Sequence, residues 1–167
     1  MGSFRQPSNK SAAVPPATTA APGRVEAILY DPRLIDALLR DHAELGRLFT
    51  QLGAVGKTGN LGEARSLLLT FQARLKAHVV AENVRFYDYL EQSLAHEPET
   101  LHVVRTYRRK MVAIGRTVFA FVQKYQTSTF TPGERRQFAA DYETVGAALE
   151  SRLDNEEDNL YRLYRPF

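Results

Sequence analysis

From Ile28 onward, apolar residues recur every three or four positions, the interval that keeps side chains on one face of an α-helix. Breakers divide this pattern into four segments. The first opens at Asp31-Pro32, with Asp as cap and Pro at the first helical position. It carries the row Ile35, Leu38, His42, Leu45, Phe49 and Leu52 and is predicted to run to about Val55. Gly53, Gly56, Gly59 and Gly62 read as a flexible turn after it. The second segment spans about Leu61 to Ala95, with the row Leu68, Phe71, Leu75, His78, Glu82, Phe86 and Tyr89, and stops near His96-Glu97-Pro98. The third runs from Pro98 to about Gln126 with Val104, Tyr107, Met111, Ile114, Val118, Phe121 and Tyr125 inward. After TSTFTP, Thr131-Pro132-Gly133-Glu134 combines a cap, a first-turn Pro and a capping-box Glu. The fourth segment then presents Phe138, Tyr142, Val145, Leu149, Leu153 and Leu160 on one face.

No stretch alternates as a strand would. Short connections force sequence neighbours to lie antiparallel, so the predicted fold is all-α, an up-down-up-down antiparallel four-helix bundle over residues 24–167. Residues 1–23 are rich in Pro, Ala, Ser and Thr without periodicity and are predicted to be a disordered tail.

Three residues break the apolar rows. His42 interrupts the first, and His78 with Glu82 interrupts the second. A carboxylate on a core-facing stripe is costly to desolvate unless a cation, a metal or hydrogen bonds compensate it. His78 and Glu82, four apart, share one helix face and can bind one metal together; His42 supplies a second nitrogen from a neighbouring helix. The last turns of the fourth helix add Arg152, Glu156 and Glu157 beside the apolar row. Two imidazoles and two carboxylates suit Fe or Zn, whereas carboxylates alone would suit Mg or Mn.

Composition narrows the alternatives. The 44% hydrophobic and 25% charged residues are those of a globular domain with a real core. Of the 22 Lys and Arg, Arg5 and Lys10 lie in the tail; the rest nearly balance the 19 acids, so the net charge of +3 carries little argument for nucleic acid. The basic face of the third helix (Arg105, Arg108, Arg109, Lys110, Arg116) reads as a solvated face. No cysteine is present, which removes disulfides, iron–sulfur clusters and thiolate zinc sites. No apolar run is long enough to span a membrane, and the N-terminus has no secretory stretch, so a cytoplasmic protein is expected. There is no nucleophile–base pair, Gly-rich phosphate loop or H-E-x-x-H, leaving hydrolase and nucleotide chemistry unsupported.

At the polar positions the chain resembles the hemerythrin-like (HHE cation-binding) family over roughly Ile28 to Tyr164. The likeness lies in Asp41-His42-Ala43-Glu44-Leu45 with Leu48-Phe49, in His78-x-x-x-Glu82 followed by Phe86-Tyr87, and in the stretch from Arg152 to Leu160-Tyr161. That family holds two irons bridged by two carboxylates. The resemblance implies that His42, His78, Glu82 and Glu157 remain as ligands, with Glu156 favoured instead by helical spacing. It also implies that the three histidines of the second iron are replaced, with Arg152 on the last helix and Tyr107 and Met111 on the third. A full di-iron oxygen carrier is not expected. The alternatives are a mononuclear site holding one Fe or Zn ion, or a metal-free core in which Arg152 and Tyr107 satisfy Glu82. Either would make a sensing or regulatory module. A reading as an enzyme with a remodelled iron site has no residue that names a substrate.

A second resemblance, to regulator-of-sigma-D anti-sigma factors, rests on Phe86-Tyr87-Asp88-Tyr89-Leu90 and on Val145 to Arg152. It implies a protein partner, the RNA polymerase sigma subunit, and no metal chemistry.

Overall fold

Local chemistry places the helix ends. In the computed structural model, which describes residues 27–167, α1 spans Leu34–Thr58, α2 Leu61–Ala81, α3 Asp88–Ser93, α4 Pro98–Gln126 and α5 Pro132–Asn155. The expected tail over residues 1–23 lies outside the described residues. Asn60 caps α2 by accepting the Glu63 N–H at 3.3 Å. Thr131 caps α5 in a full capping box, its hydroxyl accepting from the Glu134 N–H while the Glu134 carboxylate accepts from the Thr131 N–H. Asp31 works one turn earlier than a simple cap. Its carboxylate accepts from the Arg33 N–H at 2.9 Å and its carbonyl from the Leu34 N–H, so a tight turn leads into α1.

Two π turns interrupt otherwise regular helices. Glu82–Tyr87 joins α2 to α3 into one rod, and Glu156–Leu160 extends α5. Their hydrogen bonds span five residues, Asp88 N–H to the Asn83 carbonyl and Tyr161 N–H to the Glu156 carbonyl. The extra residue in each turn brings two consecutive aromatic or apolar side chains inward, Phe86 with Tyr87 and Leu160 with Tyr161.

The close helix pairs are α1 with α2, α2 with α4, α4 with α5 and α5 with α1, which closes a four-helix bundle with no strand among the described residues. Among the described residues no helix is long and apolar enough to cross a membrane.

The glycines after Leu52 behave differently from the sequence expectation. α1 continues through Gly53 and Gly56 to Thr58, and only Gly59, at φ 74°, ends it, its N–H bonded to the Val55 carbonyl. Gly53 and Gly56 stay helical because α5 aromatic rings occupy the space their side chains would need. A Cβ on Gly56 would lie 2.1 Å from Phe138 Cε1, and one on Gly53 would lie 2.4 Å from Tyr142 Cζ. Alanine is the better helix former by about 1 kcal/mol, but overpacking a buried contact costs about 1–3 kcal/mol. Gly56→Ala should therefore lower stability by up to about 2 kcal/mol, read from denaturant midpoints, and an increase would show that Phe138 can move aside freely.

The interior forms two apolar blocks. One packs Leu45, Phe49, Leu52, Leu68, Phe71, Leu75, Val118, Phe121, Tyr125, Phe138, Val145 and Leu149. The other packs Leu34, Leu38, Phe86, Tyr87, Leu90, Val104, Met111, Leu160 and Tyr161. Between them lies a polar layer, supplied by α1, by α2 with its π turn, and by α5 with its π turn. His42 falls between Leu38 and Leu45, His78 and Glu82 between Leu75 and Phe86, and Arg152 and Glu156 between Leu149 and Leu160.

Candidate metal centre

Each polar side chain of this layer stands on the inward row of its helix, so the bundle that buries the apolar rows buries it too. His42, His78, Glu82, Arg152 and Glu156 are all at most 3% exposed. Ligand atoms of His42, His78, Glu82 and Glu156 lie within 4.8 Å of one another. The shortest histidine–carboxylate approaches inside the layer are His42 Nε2 to Glu156 Oε2 at 3.4 Å and His78 Nε2 to Glu82 Oε2 at 3.5 Å. Both fall within the roughly 3.0–3.6 Å that separates neighbouring ligands on octahedral or tetrahedral ions with bonds of about 2.0–2.2 Å, while the four ligand atoms together fit within 4.8 Å.

Hydrogen-bond supply also fits an ion. Both ring nitrogens of His78 and both carboxylate oxygens of Glu156 are buried without a hydrogen bond. Arg152 Nε lies 2.9 Å from Glu156 Oε1, near enough for ion pairing but off line for a hydrogen bond. Orphaned buried acceptors of this kind are rare unless a water or ion serves them. The donor set of two imidazoles and two carboxylates fits one divalent or trivalent ion.

Arg152 occupies the other side of the layer. One terminal nitrogen donates to Glu82 Oε2, and the other donates to the Met111 carbonyl at 3.1 Å. The guanidinium therefore lies against both carboxylates as a permanent cation. Gly115 lies beside it: a Cβ there would sit 3.6 Å from Arg152 Nη1, an ordinary contact, so only a longer side chain would crowd the guanidinium. The third-helix positions that face the layer are thus Met111 and Gly115, not the expected Tyr107 and Met111. Tyr107 is half-buried in the lower apolar block, with the Lys110 ammonium 5.7 Å from its ring centre. Nor does Tyr107 satisfy Glu82. Tyr161 does so, donating to Glu82 Oε1 at 3.0 Å.

The last-helix acids also separate. Glu156 is fully buried and belongs to the cluster; Glu157, the acid favoured by family spacing, is 42% exposed and stands outside it. Glu157 instead meets His42 Nδ1 at 2.7 Å. With the proton on Nδ1, that contact points the Nε2 lone pair into the layer, the usual task of a carboxylate behind a metal-binding histidine. Asp41 Oδ2 stands 3.7 Å from His78 Nδ1 on the corresponding outer side. Helical spacing signals Glu156, because it follows Leu149 and Arg152 at steps of three and four. Tyr161 and Gly115 carry no comparable signal.

Burial and charge set the protonation states. His78 is pushed down to about 3 by desolvation and then by the neighbouring His42 and Arg152 charges, so its imidazole is neutral and free to ligate. Desolvation opposes charge on His42 as well, but contacts with Glu156 and Glu157 overcome it and raise its pKa. Glu82 is pushed up to about 7, by desolvation first and the Glu156 charge second, against the pull of Arg152 and Tyr161. An open groove of about 730 Å³ between α1 and α5 leads from solvent to His42 and Glu157.

His96 and His102 are exposed and apart from this layer. On the basic face, Arg105 and Arg108 pair with Glu91 at 3.0 and 2.8 Å, and Arg108 also with Asp88 at 2.9 Å, so part of that charge is neutralised by α3.

Among known families, the model of the hemerythrin HHE cation binding domain matches residues 33–164. Comparison with curated proteins and with solved structures gave no match. A match over most of the chain, on a four-helix bundle with its histidines and carboxylates gathered in one buried layer, makes this chain a member of the hemerythrin HHE cation-binding domain family.

Proposed function

We propose that the chain is a mononuclear metal-binding module, with iron as the favoured ion and zinc as the alternative, that senses or regulates and does not carry oxygen. The observation that supports it is the division of the polar layer: His42, His78, Glu82 and Glu156 converge on one side, and the Arg152 guanidinium spans both carboxylates on the other. One cation position is open to an ion and the second is a side chain. When bound, the ion would supply Lewis acidity and, as iron, a one-electron change of oxidation state.

The chain's own residues do the rest. Glu157 fixes the tautomer of His42, burial keeps His78 neutral, and Arg152 holds the negative charge of Glu82 and Glu156 to what one ion can balance. The groove beside His42 gives a small molecule a path to the layer.

Elemental analysis of protein purified without a histidine tag should find about one equivalent of metal in the wild type, lost in His78→Ala and Glu82→Ala together with thermal stability. Less than about a tenth of an equivalent in the wild type would overturn the reading. Stability lost in the variants with no metal in the wild type would instead favour a metal-free polar network.

The likeness to sigma-D regulators rests on residues the bundle uses internally. Phe86, Tyr87, Tyr89, Leu90, Val145, Leu149 and Arg152 are all buried, so a sigma-subunit surface would need other side chains.

A further inference from the structure

Tyr161 stands at the centre of the polar layer, yet nothing in the ligand set uses it. Its ring is 5% exposed, stacked on His42 at 5.6 Å between centroids and edge-on to Phe86 at 5.2 Å, so the hydroxyl has one place to go. That oxygen lies 3.0 Å from His42 Nε2 and 3.0 Å from Glu82 Oε1. The π turn Glu156–Leu160 puts it there by adding one residue between Glu156 and Tyr161.

Around this oxygen the acceptors outnumber the donors when His42 is the neutral Nδ1–H tautomer, the form in which it would bind a metal. When the His42 Nδ1–H is given to Glu157, Nε2 carries a lone pair. The phenol then faces two acceptors, Nε2 and Glu82 Oε1, with one proton to offer. Glu156 Oε2, 3.4 Å from the same Nε2, is a third acceptor with no donor at all. A cation among these atoms would satisfy every one of them. The 3.0 Å separations also equal the spacing of adjacent ligands on an octahedral ion with bonds of about 2.1 Å.

We propose that Tyr161 is a further metal ligand, its phenolic oxygen taking a coordination position beside His42 and Glu82 on a ferric ion. The assignment rests on the mononuclear reading above. With a ferric ion, Glu82, Glu156 and a phenolate bring three negative charges to an ion of three positive, with Arg152 left over. A ferrous ion with the phenol still protonated leaves the same net charge in the layer. Loading as a ferric salt transfers no electron. The O–H bond of Tyr161 breaks, the oxygen–iron bond forms, and the proton leaves to solvent.

The test is to load metal-free protein with ferric nitrilotriacetate and record visible absorption and resonance Raman spectra beside iron content. The wild type should bind iron and show a phenolate-to-iron charge-transfer band with tyrosinate ring modes. Tyr161→Phe should lose the band, while Tyr87→Phe, which removes the other buried hydroxyl near the layer, should keep it. Bound iron without the band in the wild type, or a band that survives in Tyr161→Phe, overturns the assignment and leaves the mononuclear reading standing. No iron in the wild type overturns both. If Tyr161→Phe fails to fold, a wild type that binds iron but shows no tyrosinate modes still overturns the assignment.

Discussion

Arg152→Met should destabilise the metal-free protein by about 3–5 kcal/mol at pH above 8, and by much less at pH 5. The substitution keeps an apolar stem of similar length and removes the only cation that touches both Glu82 and Glu156 among the described residues. Both carboxylates are fully buried, so neither can turn to water for compensation. Breaking a buried pair from one side is costly because the partner is left charged and unpaired. Protonation limits the penalty. Glu82, already pushed up to about 7, binds a proton more readily in the folded chain than in the unfolded one, so folding gains stability from it as pH falls from above 7 toward the ordinary carboxylate value. Removing Arg152 takes away a charge that lowers this pKa, and Glu82 then stays neutral to higher pH. The gap between variant and wild type therefore widens as pH rises. Urea unfolding in the presence of a chelator, at pH 5 and above 8, measures it. A loss below about 1 kcal/mol at both would mean that Arg152 balances little. Adding Glu156→Gln to the variant should recover most of the loss, since one buried charge goes with the cation.

The triple change Met111→His, Gly115→His and Arg152→His should raise bound iron from about one to about two equivalents per chain. The family resemblance implies three histidines for a second iron, and the structure shows which positions of α4 would carry two of them. Met111 and Gly115 are four apart on one face of α4, and both lie against the guanidinium. The three changes depend on one another. A side chain at Gly115 beyond Cβ enters the space of Arg152, so Gly115→His alone should destabilise, and only removal of Arg152 frees the volume and the two carboxylates. Elemental analysis of iron-loaded protein, alongside each single variant, checks this. Iron that stays near one equivalent in the triple variant would show that α4 does not present these positions at bonding distance.

Much of this molecule was legible in its pattern of residues. Steps of three and four, Thr131-Pro132-Gly133-Glu134 and Pro98 mark the helices to within a few residues, because capping and periodicity are local chemistry. His42, His78 and Glu82 stood out for the same reason: each is polar on a row that must be buried. The glycines misled. Gly53 and Gly56 look like a turn in one dimension, and only the rings of Phe138 and Tyr142, more than eighty residues away, explain why a helix needs them.

The finer placements turn on helix geometry and on how the helices are offset. Family spacing selects Glu157, whereas regular steps of three and four from Leu149 and Arg152 carry Glu156 inside and leave Glu157 at the mouth of the groove. The residue added by the π turn Glu156–Leu160 delivers Tyr161 to His42 and Glu82, where Tyr107 was expected to meet Glu82. On α4, a one-turn offset decides between Tyr107 with Met111 and Met111 with Gly115, and nothing along the chain fixes that offset.

Periodicity, caps and breakers thus suffice for four helices and for the presence of buried histidines and an acid, since each follows from side chains within a few residues of one another. Which tyrosine reaches Glu82 and which positions of α4 meet Arg152 depend on a wide turn and on how far one helix slides along the next. Those are outcomes of packing across the whole bundle, where residues 41 to 119 positions apart in the chain come within hydrogen-bond reach.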